Sequence, residues 1–260
     1  MREVLLTGAA GRVGSYLRAG LPPLGWQPRC LDLVAPAEPD GLSWTVGDIC
    51  DPAALDQACR GVSAVVHLAG IPTEADFGSL RRANVDGAYQ VFEAARRAGV
   101  RRVLYAGSNH AVGFHESGAP LAADIAPRPD SLYGVTKAFG EALGSYYADR
   151  HGMDVASIRI GSCFDEPPTV RALATWLSPG DAVRLVDALL RAPAFGHAVV
   201  YGISANTRAW WDLSTARALG YTPQDDAERF APRLLAEQGP LPPHHPDARY
   251  VGGRAAVGVW

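Results

Sequence analysis

Arg2-Glu3-Val4-Leu5-Leu6-Thr7-Gly8-Ala9-Ala10-Gly11-Arg12-Val13-Gly14 decides the fold. The first six residues read as a short buried strand, and Gly8, Gly11 and Gly14 punctuate the turn into a helix directly after it. Glycine here allows a tight turn, close approach of backbone to a pyrophosphate, and close packing of helix on sheet. The free N–H groups at the helix start then meet the phosphate charge. Asp32 stands eighteen residues beyond Gly14, closing a second strand-like run, Arg29-Cys30-Leu31-Asp32. A carboxylate at that place accepts from ribose hydroxyls and repels a 2′-phosphate, which favours NAD over NADP. Arg12 and Arg29 are nearby cations that weigh the other way.

Working outward, strand-like and helix-like segments alternate, the pattern of a parallel sheet covered on both faces. Strands are expected at 43–46, 63–68, 102–106, 155–160 and 198–202. Helices are expected from Asp51-Pro52 (aspartate as N-cap, proline in the first turn), over 77–98, from about Tyr133 to 151, near 169–177, after Ser178-Pro179-Gly180-Asp181 as a capping box, and near 211–219. The fold class is α/β, a Rossmann-type doubly wound parallel sheet with a small C-terminal lobe. Residues 1–165 form the nucleotide-binding part, and 166–260 form an integrated lobe and tail. From about 238 the chain is rich in Pro and Gly; Tyr250, Val251 and Trp260 fit either a loosely ordered tail or packing on a neighbouring subunit.

Tyr133-Gly134-Val135-Thr136-Lys137 places a phenol and an ammonium one turn apart on one helix face. Alone, such a pair describes an ordinary amphipathic helix with a solvated lysine. Beside a dinucleotide it describes acid–base chemistry, because a fixed ammonium favours phenolate and draws the tyrosine pKa toward working pH. Ser108 precedes Tyr133 by 25 residues, at the end of the preceding strand, where its hydroxyl can polarise a substrate oxygen. Ligands of open α/β sheets bind at the carboxyl ends of strands, which is where Gly107-Ser108-Asn109-His110 is delivered.

The chain has 260 residues and a net charge of −3 with both signs dispersed, so neither nucleic acid nor an anionic membrane is an expected partner. Cys30, Cys50, Cys59 and Cys163 show no Cys-x-x-Cys spacing and read as reduced, mostly buried thiols of a cytoplasmic protein. The first residues lead straight into a strand, and no apolar run nears the ~20 residues a membrane span requires. Seven histidines without ligand spacing give no metal site. Ala106-Gly107-Ser108-Asn109-His110 lacks the Gly-x-Ser-x-Gly elbow, which disfavours a hydrolase built on Ser108, His110 and Asp124.

Together Gly8-Ala-Ala-Gly-Arg-Val-Gly14, Asp48-Ile49, Leu68-Ala69-Gly70, Asn84, Ser108 and Tyr133-x-x-x-Lys137 resemble the extended short-chain dehydrogenase/reductase family. More narrowly, Gly107 to Phe114, Arg128 to Lys137, Arg159 to Cys163, Thr175 to Ser178 and Trp210-Trp211-Asp212 resemble its uronate dehydrogenases, over nearly the whole chain. The resemblance implies oxidation of the C1 hydroxyl of a cyclic hexuronic acid (galacturonate or glucuronate) to an aldarolactone, with hydride passing to NAD. Ser108, Tyr133 and Lys137 would be catalytic, with Tyr133 as the base. Gly8, Gly11, Arg12, Val13, Gly14, Asp32, Leu33, Asp48, Ile49, Leu68, Ala69, Gly70, Asn84, Ile160 and Cys163 would line the cofactor, with Lys137 on the nicotinamide ribose. Arg171 would hold the sugar carboxylate, and Asn109, His110 and Ser162 the ring hydroxyls; read without the family, His110 is equally a structural loop histidine. One departure stands out: members of the family carry a serine after Leu-x-Gly-Ile, whereas Ile71 is followed by Pro72-Thr73, so Thr73 replaces that contact or the contact is absent. The resembling enzymes suggest a small-molecule partner and a homo-oligomer. The alternatives are a nucleotide-sugar epimerase or dehydratase, another sugar dehydrogenase, or a non-catalytic NAD-sensing regulator.

Overall fold

In the computed structural model, which describes residues 2–38 and 40–260, the opening stretch forms β1 (Arg2–Thr7) and α1 (Arg12–Gly20) around the glycine turn. Gly8 has φ +70, and a Cβ on it would stand 2.5 Å from the backbone nitrogen of Ala69. A Cβ on Gly14 would stand 2.5 Å from the carbonyl oxygen of Gly8. Only glycine lets the turn close and α1 sit this near the sheet.

The chain continues through β2 (Trp26–Asp32), β3 (Ser43–Val46), α2 (Pro52–Cys59) and β4 (Ala64–His67). Asp51 caps α2 as expected, accepting from the Ala53 N–H. The helix expected over 77–98 is interrupted: α3 (Phe77–Leu80) passes through a π-helical turn, Arg81–Asp86, into α4 (Gly87–Arg97). Next come β5 (Arg102–Ser108), α5 (Leu132–His151) and β6 (Asp154–Ile160). Ser131 caps α5, and Gly152 ends it at φ +64.

All seven strands of the main sheet run parallel in the order β3-β2-β1-β4-β5-β6-β9, where β9 is His197–Gly202. Strand order reverses between β1 and β4, and a crevice opens at the carboxyl ends of those two strands. Core side chains divide between the two faces: Val4, Leu6, Val66 and Leu104 on one, Leu5, Val65 and Val103 on the other. This alternation along strands buried on both sides explains their nearly continuous apolar runs.

Beyond β6 the periodicity misleads in part. The helix expected near 169–177 shrinks to α6 (Ala172–Thr175), because Trp176–Leu177 becomes β8 and pairs with β7 (Ser162–Cys163). Helix α7 (Pro179–Arg191) starts where expected, with Ser178 accepting from the Asp181 N–H. The reciprocal half of the capping box is missing: buried Asp181 instead accepts from the Gln224 and Asp225 N–H groups and so holds a distant loop. The helix expected near 211–219 is only α8 (Ser214–Ala218), since Trp211 stacks on Tyr201 with centroids 5.1 Å apart and Leu121 bridges to Trp211. After α9 (Ala231–Gln238) and α10 (Pro246–Arg249) the supposed tail folds back on its own chain. Val251 is fully buried, its N–H donating to the His115 carbonyl, and the Gly252 N–H donates to that of Gly113.

Candidate active site

The carboxyl ends of β1, β2, β4, β5 and β6 line one cleft of about 1070 Å³. At its floor the glycine turn presents the start of α1, where Gly11 offers no side-chain cap and leaves first-turn N–H groups free for an anion. Asp32, at the end of β2, accepts from the Ala10 N–H at 2.8 Å and from its own neighbour Leu33 at 2.7 Å. The carboxylate is thus fixed against the glycine turn, beside exposed Leu33 and Val34. Asp48 accepts from the Cys50 N–H and pairs with the Arg82 guanidinium at 2.5 Å; these hydrogen bonds hold its carboxyl below the usual range. Gly8, Gly11, Arg12, Val13, Gly14, Ile49, Leu68, Ala69, Gly70, Ile160 and Cys163 also lie on the wall, so the residues present fit a dinucleotide in a glycine-floored, acid-marked groove. Arg12 sits with its guanidinium 4.2 Å from the Phe164 ring centroid across that groove.

Asn84, expected at the cofactor, is 3 % exposed and lies behind the wall. The π-helical turn aims its amide at the loop after β4: Oδ1 accepts from the Ile71 N–H (2.8 Å), and Nδ2 donates to the Ile71 carbonyl (3.0 Å) and to Thr136 Oγ1 (3.1 Å). Thr136 in turn donates to the Tyr133 carbonyl. Asn84 therefore ties the cleft loop to the helix that carries Tyr133. Glu74, which nothing in the sequence singles out, ties it again: its carboxylate accepts from the Tyr133 N–H at 2.8 Å and from that of Leu132 at 3.3 Å. Thr73, by contrast, is exposed, and Ile71 and Pro72 form the wall at that point.

Ser108, Tyr133 and Lys137 meet at the end of β5, all of them buried. Lys137 donates to the Ala106 carbonyl at 2.8 Å, leaving two ammonium protons for a ligand, and its nitrogen is 5.6 Å from the Tyr133 ring centroid. Loss of hydration lowers its pKa to about 8. The expected depression of the Tyr133 pKa is not met by the protein's own groups. Burial pushes the phenol up to about 12, the Ser108 hydroxyl opposes that, and the Asp130 carboxylate adds to it. Desolvation outweighs the Ser108 hydrogen bond.

Lys137 is also the only lysine in the chain; the other 23 of the 24 basic residues, 24 minus one, are arginines. Arginine serves for surface pairing, but a compact ammonium whose pKa moves on burial is the lysine property. That composition is a signal for Lys137 independent of any motif.

His110 gives its Nδ1 to Asp130 at 2.9 Å, which directs Nε2 elsewhere and fixes the ring beside Tyr133, centroids 5.8 Å apart. Asp130 rather than Asp124 is its partner. Asn109 donates through Nδ2 to the Val251 carbonyl (3.2 Å), and Ser162 shares a hydrogen bond with Thr175 (2.9 Å). Arg171 reaches the cleft wall from the later part of the chain. It donates to the Val251 carbonyl, makes no ion pair among the described residues, and has its Nε buried without a partner. Desolvation lowers its pKa, and Asp247 and Asp130 oppose that from a distance. Behind the site, Arg159 forms a buried two-bond pair with Glu141 of α5 (2.8 and 2.9 Å) and donates to the Ala123 carbonyl, pinning α5 to β6.

Known proteins resemble this chain in sequence and in fold. The family model described as NAD dependent epimerase/dehydratase family matches residues 4–166. A uronate dehydrogenase of Pseudomonas syringae pv. tomato is 41% identical over 257 residues, covering 98% of this chain and 93% of that protein. An NAD-dependent glucose-6-phosphate dehydrogenase of Haloferax volcanii is 40% identical, covering 88% of this chain and 95% of that protein. The crystal structure of a uronate dehydrogenase mutant from Agrobacterium tumefaciens complexed with NAD superposes with a TM-score of 0.92 at 39% identity, covering 99% of this chain and 97% of that one. With the glycine turn, the acid at the end of β2 and the serine–tyrosine–lysine group all inside the matched residues, the chain belongs to the NAD dependent epimerase/dehydratase family.

Proposed function

We propose that the protein is an NAD-dependent dehydrogenase that oxidises the C1 hydroxyl of a cyclic hexuronic acid, galacturonate or glucuronate, to an aldarolactone. The observation that carries the substrate class is Arg171: a guanidinium at the cleft wall, short of hydration and without a carboxylate partner among the described residues, suits a substrate that brings its own carboxylate. Uronate dehydrogenases about 40% identical over nearly the whole chain support the same reading. NAD supplies the carbon that accepts the hydride from C1, and its oxidised ring supplies a positive charge. Tyr133 takes the hydroxyl proton as the carbonyl forms, Ser108 steadies that oxygen, and Lys137 keeps a cation beside the phenol through its fixed hydrogen bond to Ala106. Asn109, His110 and Ser162 hold ring hydroxyls, His110 being oriented by Asp130. In this reading residues 1–165 hold the dinucleotide, while 166–260 supply Arg171 and the outer side of the sugar site. We propose a cytoplasmic protein that is a homo-oligomer; exposed apolar side chains along α5 such as Val135, Phe139 and Tyr146 support the association, which light scattering tests.

Mixing the protein with NAD and a panel of uronic acids, glucose 6-phosphate, neutral aldoses and UDP-sugars, and following NADH absorbance, tests the reading. Rapid NADH formation from uronates alone is expected. Equal rates on neutral aldoses would sink the Arg171 argument. Preference for glucose 6-phosphate, the substrate named for the Haloferax relative, would assign Arg171 to a phosphate instead.

A further inference from the structure

Residues 246–260 lie outside the family-matched stretch, yet they pack against Asn109, His110 and Arg171, three side chains of the cleft wall. The Val251 carbonyl accepts from both Asn109 and Arg171. A Cβ on Gly252 would stand 1.6 Å from a carboxylate oxygen of Asp130, and one on Gly253 would stand 2.7 Å from Nε of Arg171, so the segment fits against these two side chains with no space to spare. From this anchor it carries Trp260 to His110 and Tyr133. The indole packs on the His110 ring with centroids 4.8 Å apart, and it meets the Tyr133 ring edge-on at 6.0 Å. Trp260 remains 49% exposed, so half of the indole is free for another partner.

We propose that Trp260 is a substrate-contact residue: its indole forms the apolar wall of the sugar subsite beside Tyr133 and His110, and the C–H face of a pyranose stacks on it. The proposal rests on the sugar-oxidising reading and deepens it. Ser108, Asn109, His110, Ser162 and Arg171 offer a sugar polar contacts, and the Phe164 ring on the same cleft wall is packed against the Arg12 guanidinium. A pyranose carries hydroxyls on its rim and C–H groups on its faces, so a site that excludes water around it also requires a flat apolar surface. Among the described residues Trp260 is the large flat side chain packed against both Tyr133 and His110. Because its anchor at Val251 is shared by Arg171, the wall and the carboxylate grip are held in one register. The substrate class this selects is a monocyclic pyranose acid.

The test uses the full chain and three variants, Trp260→Ala, Trp260→Leu and Trp260→Phe, with KM measured separately for galacturonate and for NAD. The expected result is a rise of about tenfold in the galacturonate KM for Ala and for Leu, the size of one lost aromatic contact. Phe recovers most of that, and the NAD KM stays within about twofold throughout. Leucine keeps bulk without flatness, so a Leu variant equal to wild type overturns stacking. An unchanged galacturonate KM in the Ala variant overturns the contact, and a lowered one would mean that the indole plugs the site. Should Ala fail to fold, judged by a lost melting transition with NAD present, the Leu and Phe variants decide whether the flat ring is required. Should the wild-type protein reduce no NAD with any uronate, the sugar acid reading fails on its own; the same variants with whichever panel sugar gives NADH then test the wall.

Discussion

Tyr133 and Lys137 reveal how far a motif can be taken before the surroundings have to be known. Their spacing points to an acid–base pair, but burial acts on both against charge, holding Tyr133 up at about 12 and Lys137 down at about 8. Tyr133→Phe is expected to lower kcat by at least ~10²-fold, the range of a lost general base, while NADH binding measured by fluorescence is retained. Lys137 can be observed by itself, because no other lysine exists in the chain. Protein carrying isotope-labelled lysine should give one side-chain NMR signal that titrates near pH 8 in the free protein. Its folded pKa lies below the ordinary value of 10.5, so the ammonium opposes folding below about pH 8, and that opposition fades as pH rises toward 10.5. Lys137→Met is therefore expected to melt at or above the wild-type temperature at pH 7 while losing at least ~10-fold in activity. A clear drop in melting temperature would mean that the hydrogen bond to Ala106 matters more than desolvation.

Among elements, α5 carries Tyr133 and Lys137, and its placement depends on partners from distant parts of the chain. Glu74 and Asn84 fasten its first turns to the loop after β4, and Glu141 fastens its middle to Arg159 of β6. Tyr133, Lys137 and Glu141 follow one another at four-residue steps, so the face that presents the site also holds the helix in place. Arg159→Leu is expected to destabilise the protein by about 3–5 kcal/mol in urea denaturation, because Glu141 and the Ala123 carbonyl are left buried without their donor. Adding Glu141→Leu should recover much of the loss, since the pair is then replaced by apolar groups. No recovery would mean that the Ala123 and Ile125 carbonyls, and not the carboxylate, set the cost. The sequence does mark the ends of α5, Ser131 and Gly152, but these partners lie 18 to 59 residues away and leave no local periodicity.

For the molecule as a whole, the cleft is formed where the strand order reverses, with walls from five strands and from the later chain through Arg171. A ligand that bridges these parts stabilises their assembly by mass action. NAD at a hundredfold excess over its Kd should add about 2.7 kcal/mol of stability, seen as a several-degree rise in melting temperature. Asp32→Ala should shrink that rise with NAD and enlarge it with NADP, since the carboxylate that repels a 2′-phosphate is gone. An unchanged preference would show that the exposed apolar rim of Leu33 and Val34 sets the choice.

The sequence by itself determined the parallel α/β fold and its glycine turn, and it marked Asp32 and the order Ser108, Tyr133, Lys137. These are local signals, fixed by backbone sterics, strand alternation and helix periodicity within a few residues. Only the tertiary structure decided that Asn84 braces the wall, that Glu74 accepts from the first N–H groups of α5, that Thr73 faces solvent, and that residues 246–260 pack on Asn109, His110 and Arg171. Each of these depends on hydrogen bonds or ring packing between segments far apart in the chain, and such pairings write no period into the sequence. The same holds for the charge balance at Tyr133, where desolvation is a property of everything packed around the phenol.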